Sequence, residues 1–116
     1  LNVSGAFHSP LMSSAKEKLD EYLSSMYIGN AAFPVYANFT SKAVKEKLEI
    51  QNALLNQIEN PVLWHRSITQ MMKDGVRSCI EIGPGKVLQG LSRRIDRSLI
   101  MYGAESYEDI LNLTNV

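Results

Sequence analysis

Two histidines are the side chains of this sequence best suited to acid–base chemistry. His8 stands directly before Ser9-Pro10, a pair that predicts a helix start with serine as N-cap and proline at the first helical position. An imidazole there can exchange a proton near neutral pH, so His8 is a candidate general base, although such a histidine is more often a turn or surface residue. His65 follows Trp64 in a predicted helix and is interpreted as a partly exposed helical residue. Neither histidine has a carboxylate at ligand spacing, so no metal site is predicted.

A glycine-rich segment, GPGK at residues 83–86, lies between a predicted strand and a predicted helix, where phosphate-binding loops occur. It does not match a P-loop, because Val87 follows Lys86 where Ser or Thr is required, and Ile80 occupies the place of the first glycine. Two interpretations remain open. The segment is either a tight strand-to-helix connection or an anion site formed by backbone amides and Lys86.

The other candidates have plainer interpretations. Three arginines are interpreted as a solvated helix face, with docking of an acidic partner as the alternative: Arg93, Arg94 and Arg97. Cys79 is predicted to be a buried thiol, and three side chains are predicted to be core: Trp64, Met71 and Met72. No Gly-x-Ser-x-Gly elbow occurs in the sequence, so no serine can be assigned as a nucleophile.

Composition narrows the possible classes of protein. The 116 residues contain twelve Lys and Arg against twelve Asp and Glu, so no overall field favours nucleic acid or an anionic membrane. A single cysteine excludes an intrachain disulfide framework and is consistent with a reducing compartment. No apolar stretch is long enough to span a bilayer and no signal peptide is recognisable. The sequence begins with Leu1 rather than Met, which fits a native chain that has lost its methionine or a pre-sequence and fits a cut piece equally.

The elements that must position these residues follow from hydrophobic spacing. A helix is expected from Pro10 to a stop at Gly29-Asn30, and the charged segment up to residue 49 is expected to be exposed. Further helices are predicted at residues 50–58, 61–74, 87–95 and 107–113, and strands at residues 33–37, 76–82 and 100–102, with a strand end at residues 1–4. This alternation predicts an α/β fold with parallel strands flanked by helices. Two or three parallel strands form a poor independent sheet. The pattern is therefore typical of part of a larger sheet.

Three segments, taken together and in this order, carry a resemblance: VSGAFHSPLM at residues 3–12, QIENPVLW at residues 57–64 and IEIGPGKVLQGL at residues 80–91. They resemble the C-terminal region of the malonyl-CoA:acyl carrier protein transacylase family, over about residues 1 to 97. The resemblance implies that residues 1–116 are the C-terminal portion of a large α/β-hydrolase-like acyltransferase subdomain, without the nucleophile elbow and without the ferredoxin-like insert.

The same resemblance implies roles for four residues. His8 matches the catalytic base that activates a serine supplied upstream, and Gln57 matches the residue whose backbone carbonyl orients that base. Phe7 and Val87 are implied to bind substrate, with the Phe7 ring leaving little room for an α-methyl group. The side chain of Gln57 is expected to matter less than the position of its backbone.

The expected activity is transfer of a malonyl group from coenzyme A to the phosphopantetheine thiol of acyl carrier protein in fatty-acid synthesis. Malonyl-CoA and acyl carrier protein are the expected partners, with no covalently bound cofactor, no nucleic acid, no membrane and a cytoplasmic location. This chain alone would supply the base only and be inactive. Three alternatives remain: a fragment of a polyketide synthase acyltransferase, disfavoured because no linker to another module follows residue 95, a non-catalytic anion-binding α/β module, or a purely structural fragment.

Overall fold

The computed structural model describes residues 5–113, which form two compact units that divide between Ser67 and Ile68. A 3-10 helix, Pro10–Met12, leads into the first unit's helices and strands: α1 (Ser13–Ser25), β1 (Val35–Tyr36), β2 (Ala43–Val44) and α2 (Lys47–Gln57). Helix α3 (Trp64–Lys73) begins in the first unit and ends in the second, which continues with β3 (Ser78–Ile82), α4 (Val87–Ile95), β4 (Ile100–Ala104) and α5 (Tyr107–Leu113). The α/β fold with a parallel strand pair is confirmed. The strand end predicted at residues 1–4 lies outside the described residues.

The first helix differs from its prediction at both ends. Ser9 holds the N-cap position, but its hydroxyl donates to the Ala6 carbonyl at 2.7 Å and makes no cap bond to the helix. The chain then passes through one 3-10 turn before α1 begins. Helix α1 ends at Ser25 rather than at Gly29, because Met26 turns to an extended conformation. Its only buried side chain is Leu23.

The segment after α1 forms a small hairpin that the sequence predicted only in part. Strand β1 is shorter than the predicted strand and pairs antiparallel with β2. Strand β2 lies in the charged segment that was predicted to be exposed and to contain no strand. The tight connection is closed by two bonds, from Ala37 N to the Lys42 carbonyl at 3.1 Å and from Ser41 N to the Ala37 carbonyl at 2.8 Å. Two-residue strands carry no readable hydrophobic period, so β2 had no signal.

Two asparagines act at helix ends other than the predicted ones. Asn30 accepts a bond from Lys47 N at 2.9 Å, so it caps the start of α2 instead of merely ending α1. The Asn60 side chain donates to the Asn56 carbonyl at 2.7 Å, in the last turn of α2. Helix α3 begins at Trp64, three residues after the predicted start at Pro61, so that predicted start is wrong.

The second unit is built on the parallel pair β3–β4, in which Ser78 lies opposite Ile100 and Ile82 opposite Ala104. Strand β3, helix α4, strand β4 and helix α5 confirm the predicted elements in this part of the chain. Several residues of this unit are buried, namely Ile68, Gln89, Ser92, Leu99 and Ala104. None of the helices between Gly5 and Leu113 has both the length and the apolar character that crossing a bilayer demands.

Candidate active site

His8 lies in the turn before the 3-10 helix, exposed to solvent and in a left-handed backbone conformation with φ 61°. That conformation is uncommon for a residue with a side chain and is found most often where surrounding contacts enforce it, frequently at functional sites. The contact here comes from 49 residues further along the chain. The His8 Nδ1 atom lies 2.9 Å from the carbonyl oxygen of Gln57.

The Gln57 carbonyl is available because Gln57 is the last residue of α2. Carbonyls in the last turn of a helix have no amide partner further along that helix. The Asn60 amide approaches the same oxygen, at a longer distance of 3.4 Å. Because a carbonyl can only accept, His8 Nδ1 must carry the hydrogen of the 2.9 Å bond. In its neutral form, the imidazole is therefore held as the tautomer whose Nε2 has a free lone pair.

The side chain of Gln57 stiffens the same corner. Its Nε2 donates to the Asn60 carbonyl at 3.0 Å and lies 3.5 Å from the Pro61 carbonyl. The same Nε2 lies 3.4 Å from His8 Nδ1, but both atoms bear hydrogen in this tautomer, so that approach is not a hydrogen bond. The Gln57 Oε1 atom is buried and has no hydrogen-bond partner among residues 5–113.

Phe7 precedes the histidine and presents its ring to solvent, with 64% of its surface exposed. The ring folds back over the main chain of Gly5, where a Cβ would lie 2.7 Å from the Phe7 Cε2 atom. Glycine at position 5 therefore leaves the space that this ring orientation uses. Phe7, His8 and Gln57 all belong to the first unit.

Val87 belongs to the second unit, where it is the first residue of α4 and is 69% exposed. The loop before it was the candidate anion site. The Glu81 carboxylate accepts the amides of Leu88 at 3.0 Å and Gln89 at 3.1 Å, and these bonds hold its pKa below the ordinary value. Two amides at this helix start are thus taken by a negative charge of the chain itself. The strand-to-helix connection is the interpretation that this geometry favours.

The remaining candidate residues include Cys79 and Trp64. Cys79 is partly buried rather than fully buried, and that burial raises the pKa of its thiol, so it is a poor nucleophile near neutral pH. Trp64 is partly buried, and its Nε1 atom has no partner within the described part of the chain. Between Gly5 and Leu113 no group of three or more His, Cys, Asp or Glu residues is placed to hold a metal ion.

Sequence reasoning missed one pair beside the site. Lys16 is only 28% exposed and forms an ion pair with Glu59, from Nζ to Oε2 at 2.7 Å. This bond, together with the Ser13 side chain, holds the pKa of Glu59 below its ordinary value. The pair spans 43 residues, so no local pattern could reveal it.

Comparison with known proteins gives relatives along nearly the whole chain. No family model matches it. The malonyl CoA-acyl carrier protein transacylase of Bacillus subtilis (strain 168) is 44% identical over 99 residues, which is 85% of this chain and 31% of that protein. A polyketide biosynthesis malonyl CoA-acyl carrier protein transacylase of the same strain is 41% identical over 97 residues, 84% of this chain and 33% of that protein.

Solved structures agree with these relatives. The acyl-carrier-protein-S-malonyltransferase of Bartonella henselae matches 99% of this chain and 37% of its own, with a TM-score of 0.92 and 30% identity. A malonyl-transacylase in complex with a type II polyketide acyl-carrier protein matches 100% of this chain and 38% of its own, with a TM-score of 0.89 and 35% identity. The chain spans about a third of the length of the curated relatives that it matches. Over a segment of that length, the chain is similar in sequence and in fold to malonyl CoA-acyl carrier protein transacylases.

Proposed function

We propose that this chain supplies the catalytic base of an enzyme that moves a malonyl group from coenzyme A to the phosphopantetheine thiol of acyl carrier protein. The observation that carries the proposal is the 2.9 Å bond from His8 Nδ1 to the Gln57 carbonyl, which leaves Nε2 free to take a proton. The names of the relatives support the substrate and the acceptor. As the family resemblance implies, the nucleophile is a serine outside this chain.

The proposed reaction has two half-reactions through one ester. In the first, His8 Nε2 takes the serine proton while the serine oxygen attacks the malonyl thioester carbonyl, and the imidazolium returns that proton to the departing coenzyme A thiolate. In the second, Nε2 takes the proton of the phosphopantetheine thiol, whose sulfur attacks the ester, and the serine regains a proton. The Gln57 carbonyl holds the ring in place throughout and favours the transient imidazolium through its dipole.

We also propose that residues 1–116 are the C-terminal portion of the large subdomain of that enzyme. Support comes from the share of the relatives that the chain matches, about a third, and from the parallel pair β3–β4. Its isoleucines Ile80, Ile82 and Ile100 are 50%, 74% and 53% exposed. Parallel sheets are normally covered on both faces, so an apolar face this open is one that further chain would cover.

Phe7 and Val87 are proposed to contact the substrate. The exposed Phe7 ring next to His8 supports this for Phe7, because a rigid ring beside the base can exclude an α-methyl group. Val87 is exposed at the start of α4, and this exposure supports contact with the substrate.

The proposed partners are malonyl-CoA as substrate and acyl carrier protein as acceptor, in the cytoplasm, with no covalently bound cofactor. The complex of a related transacylase with a type II polyketide acyl-carrier protein supports the carrier as acceptor.

A second candidate function is the same transfer in polyketide synthesis, which the 41% identical polyketide relative supports. The chemistry at His8 is the same in both, so competition between fatty-acid and polyketide carriers would separate them.

Substitution of His8 in the complete protein tests the proposal. We expect His8→Ala to lower the rate of malonyl transfer by about 10²- to 10⁴-fold, the usual contribution of general acid–base catalysis. The matched control is His65→Ala, which removes the chain's other histidine and should leave the rate near that of the unsubstituted protein. A near-normal rate for His8→Ala would remove His8 from the mechanism.

A further inference from the structure

The bond between His8 and Gln57 depends on how two separate elements are placed. His8 lies in the turn that leads into α1, whereas the Gln57 carbonyl is at the end of α2. Nothing local in the sequence fixes the distance between them. A device that joins the start of α1 to the end of α2 would therefore set the orientation of the imidazole.

Lys16 makes such a junction. It lies in the first turn of α1, and its Nζ atom donates to Glu59 Oε2 at 2.7 Å and to Asn56 Oδ1 at 3.3 Å. Asn56 comes directly before Gln57 in the sequence, and Glu59 comes two residues after it. One ammonium group thus binds the chain on both sides of the residue whose carbonyl orients His8.

Further hydrogen bonds connect this junction to the site. The Asn60 side chain donates to the Asn56 carbonyl at 2.7 Å, and Gln57 Nε2 donates to the Asn60 carbonyl at 3.0 Å. The Lys16 ammonium, with a smaller contribution from the Ser13 side chain, holds the pKa of the Glu59 carboxyl below the ordinary value. The Lys16 and Glu59 side chains are 28% and 19% exposed, so water screens their attraction less than in a fully exposed pair.

We propose that Lys16 and Glu59 are positioning residues that hold His8 in line with the Gln57 carbonyl. The catalytic consequence rests on the function proposed above; the structural consequence does not. When the junction is cut, the end of α2 can move away from His8, and the imidazole loses the acceptor that selects its tautomer. A displacement of about 1 Å at a reacting group is enough to slow an enzyme strongly.

The experiment uses the complete protein that contains this chain, with nitrogen-15 in its histidines. The test variants are Lys16→Met and Glu59→Gln, and Lys16→Arg is the conservative rescue. The matched controls are Lys18→Met, at an exposed lysine of the same helix, and Glu49→Gln, at an exposed glutamate of α2. Two quantities are measured on each: steady-state malonyl transfer, and the histidine nitrogen spectrum, which reports whether Nδ1 or Nε2 carries the hydrogen.

We expect kcat to fall about tenfold in both test variants, with KM for malonyl-CoA little changed, because orientation of the base is lost rather than binding. The His8 signals should move from the Nδ1–H tautomer toward a mixture of both. Lys16→Arg should keep both readouts, and the double variant should be no worse than either single one, since the two residues act as a unit.

Unchanged His8 tautomer signals in both test variants would overturn the proposal, even if the protein became less stable. A loss that appeared equally in Lys18→Met or Glu49→Gln would do the same. If the unsubstituted protein transferred no malonyl group, the proposed function would fail, while the nitrogen spectra would still decide whether Lys16 and Glu59 position His8. Glu59→Gln preserves side-chain shape, so it provides the test if Lys16→Met does not fold.

Discussion

At the scale of single residues, the site combines an uncommon backbone conformation with a main-chain acceptor. His8 has φ 61°, and its Nδ1 atom bonds the carbonyl of the residue that ends α2. A carboxylate in that place would add a full negative charge, whereas a carbonyl adds only a dipole, reinforced by the partial negative charge at a helix C-terminus. In the proposed mechanism, the carbonyl selects the tautomer without binding the imidazolium too firmly for the proton to be passed on.

The Phe7 ring leads to a prediction about substrate choice. In the complete protein, we expect Phe7→Ser to raise the preference for methylmalonyl-CoA relative to malonyl-CoA by about ten- to a hundredfold, since excluding one methyl group is worth about 1–3 kcal/mol. Competition between the two thioesters, measured as a ratio of kcat/KM values, reports this directly. Phe33→Ser, at another exposed phenylalanine, is the control, and an unchanged ratio in Phe7→Ser would refute the role of the ring.

At the scale of elements, the start of α4 is fixed by a strand residue. Glu81 on β3 accepts the amides of Leu88 and Gln89, which otherwise have no partner in their own helix. The cost of an uncapped helix start is thereby avoided, and Gly83 and Gly85 take the positive φ values, 132° and 86°, that the short connection needs. The glycines allow the backbone of the short connection to turn, and Glu81 accepts the free amides at the start of α4.

This cap should depend on pH. Because the folded-state pKa of Glu81 is lowered, its contribution to stability is present above about pH 4.3, the ordinary glutamate value, and is lost as pH falls through the lowered pKa. In the complete protein, we expect Glu81→Gln to reduce hydrogen-exchange protection of the Leu88 and Gln89 amides near neutral pH, and the difference from the unsubstituted protein to shrink in acid. Mass spectrometry of peptides covering α4 measures this.

The control for that measurement is Glu105→Gln, at an exposed glutamate of the same unit. It should leave the protection of α4 unchanged at every pH. Equal protection in Glu81→Gln and the unsubstituted protein near neutral pH would show that the carboxylate does not hold the helix start.

At the scale of the whole molecule, the parallel pair β3–β4 leaves apolar side chains uncovered in the second unit. Ile82 is 74% exposed although it lies in the strand whose position the sequence predicted most clearly. Apolar area of this kind is costly to leave in water, at about 25 cal/mol per Å². In the proposed larger subdomain, further chain would cover this face.

From this we expect the free 116-residue chain to show no malonyl transfer, because it holds a base without the nucleophile. It should also bind an apolar dye such as ANS more strongly than the complete protein does, since the β3–β4 face would be open. Transfer to acyl carrier protein and dye fluorescence are the two measurements. Robust turnover by the free chain would contradict the proposal that the nucleophile lies outside it. Equal dye binding would contradict the proposal that further chain covers the β3–β4 face.

Elements with strong periodicity, such as β3 and α4, could be predicted from the sequence, because local hydrophobic spacing and glycine turns specify them. The sequence also singled out His8 and, through the family resemblance, Gln57. Contacts between distant residues could be read only from the folded chain. The partnership of Asn30 with α2, the pairing of β2 with β1, and the bond from Lys16 to Glu59 join residues 7 to 43 positions apart, which no local pattern records. The 2.9 Å approach of His8 to Gln57 is of the same kind, since its geometry is set by how α1 and α2 pack.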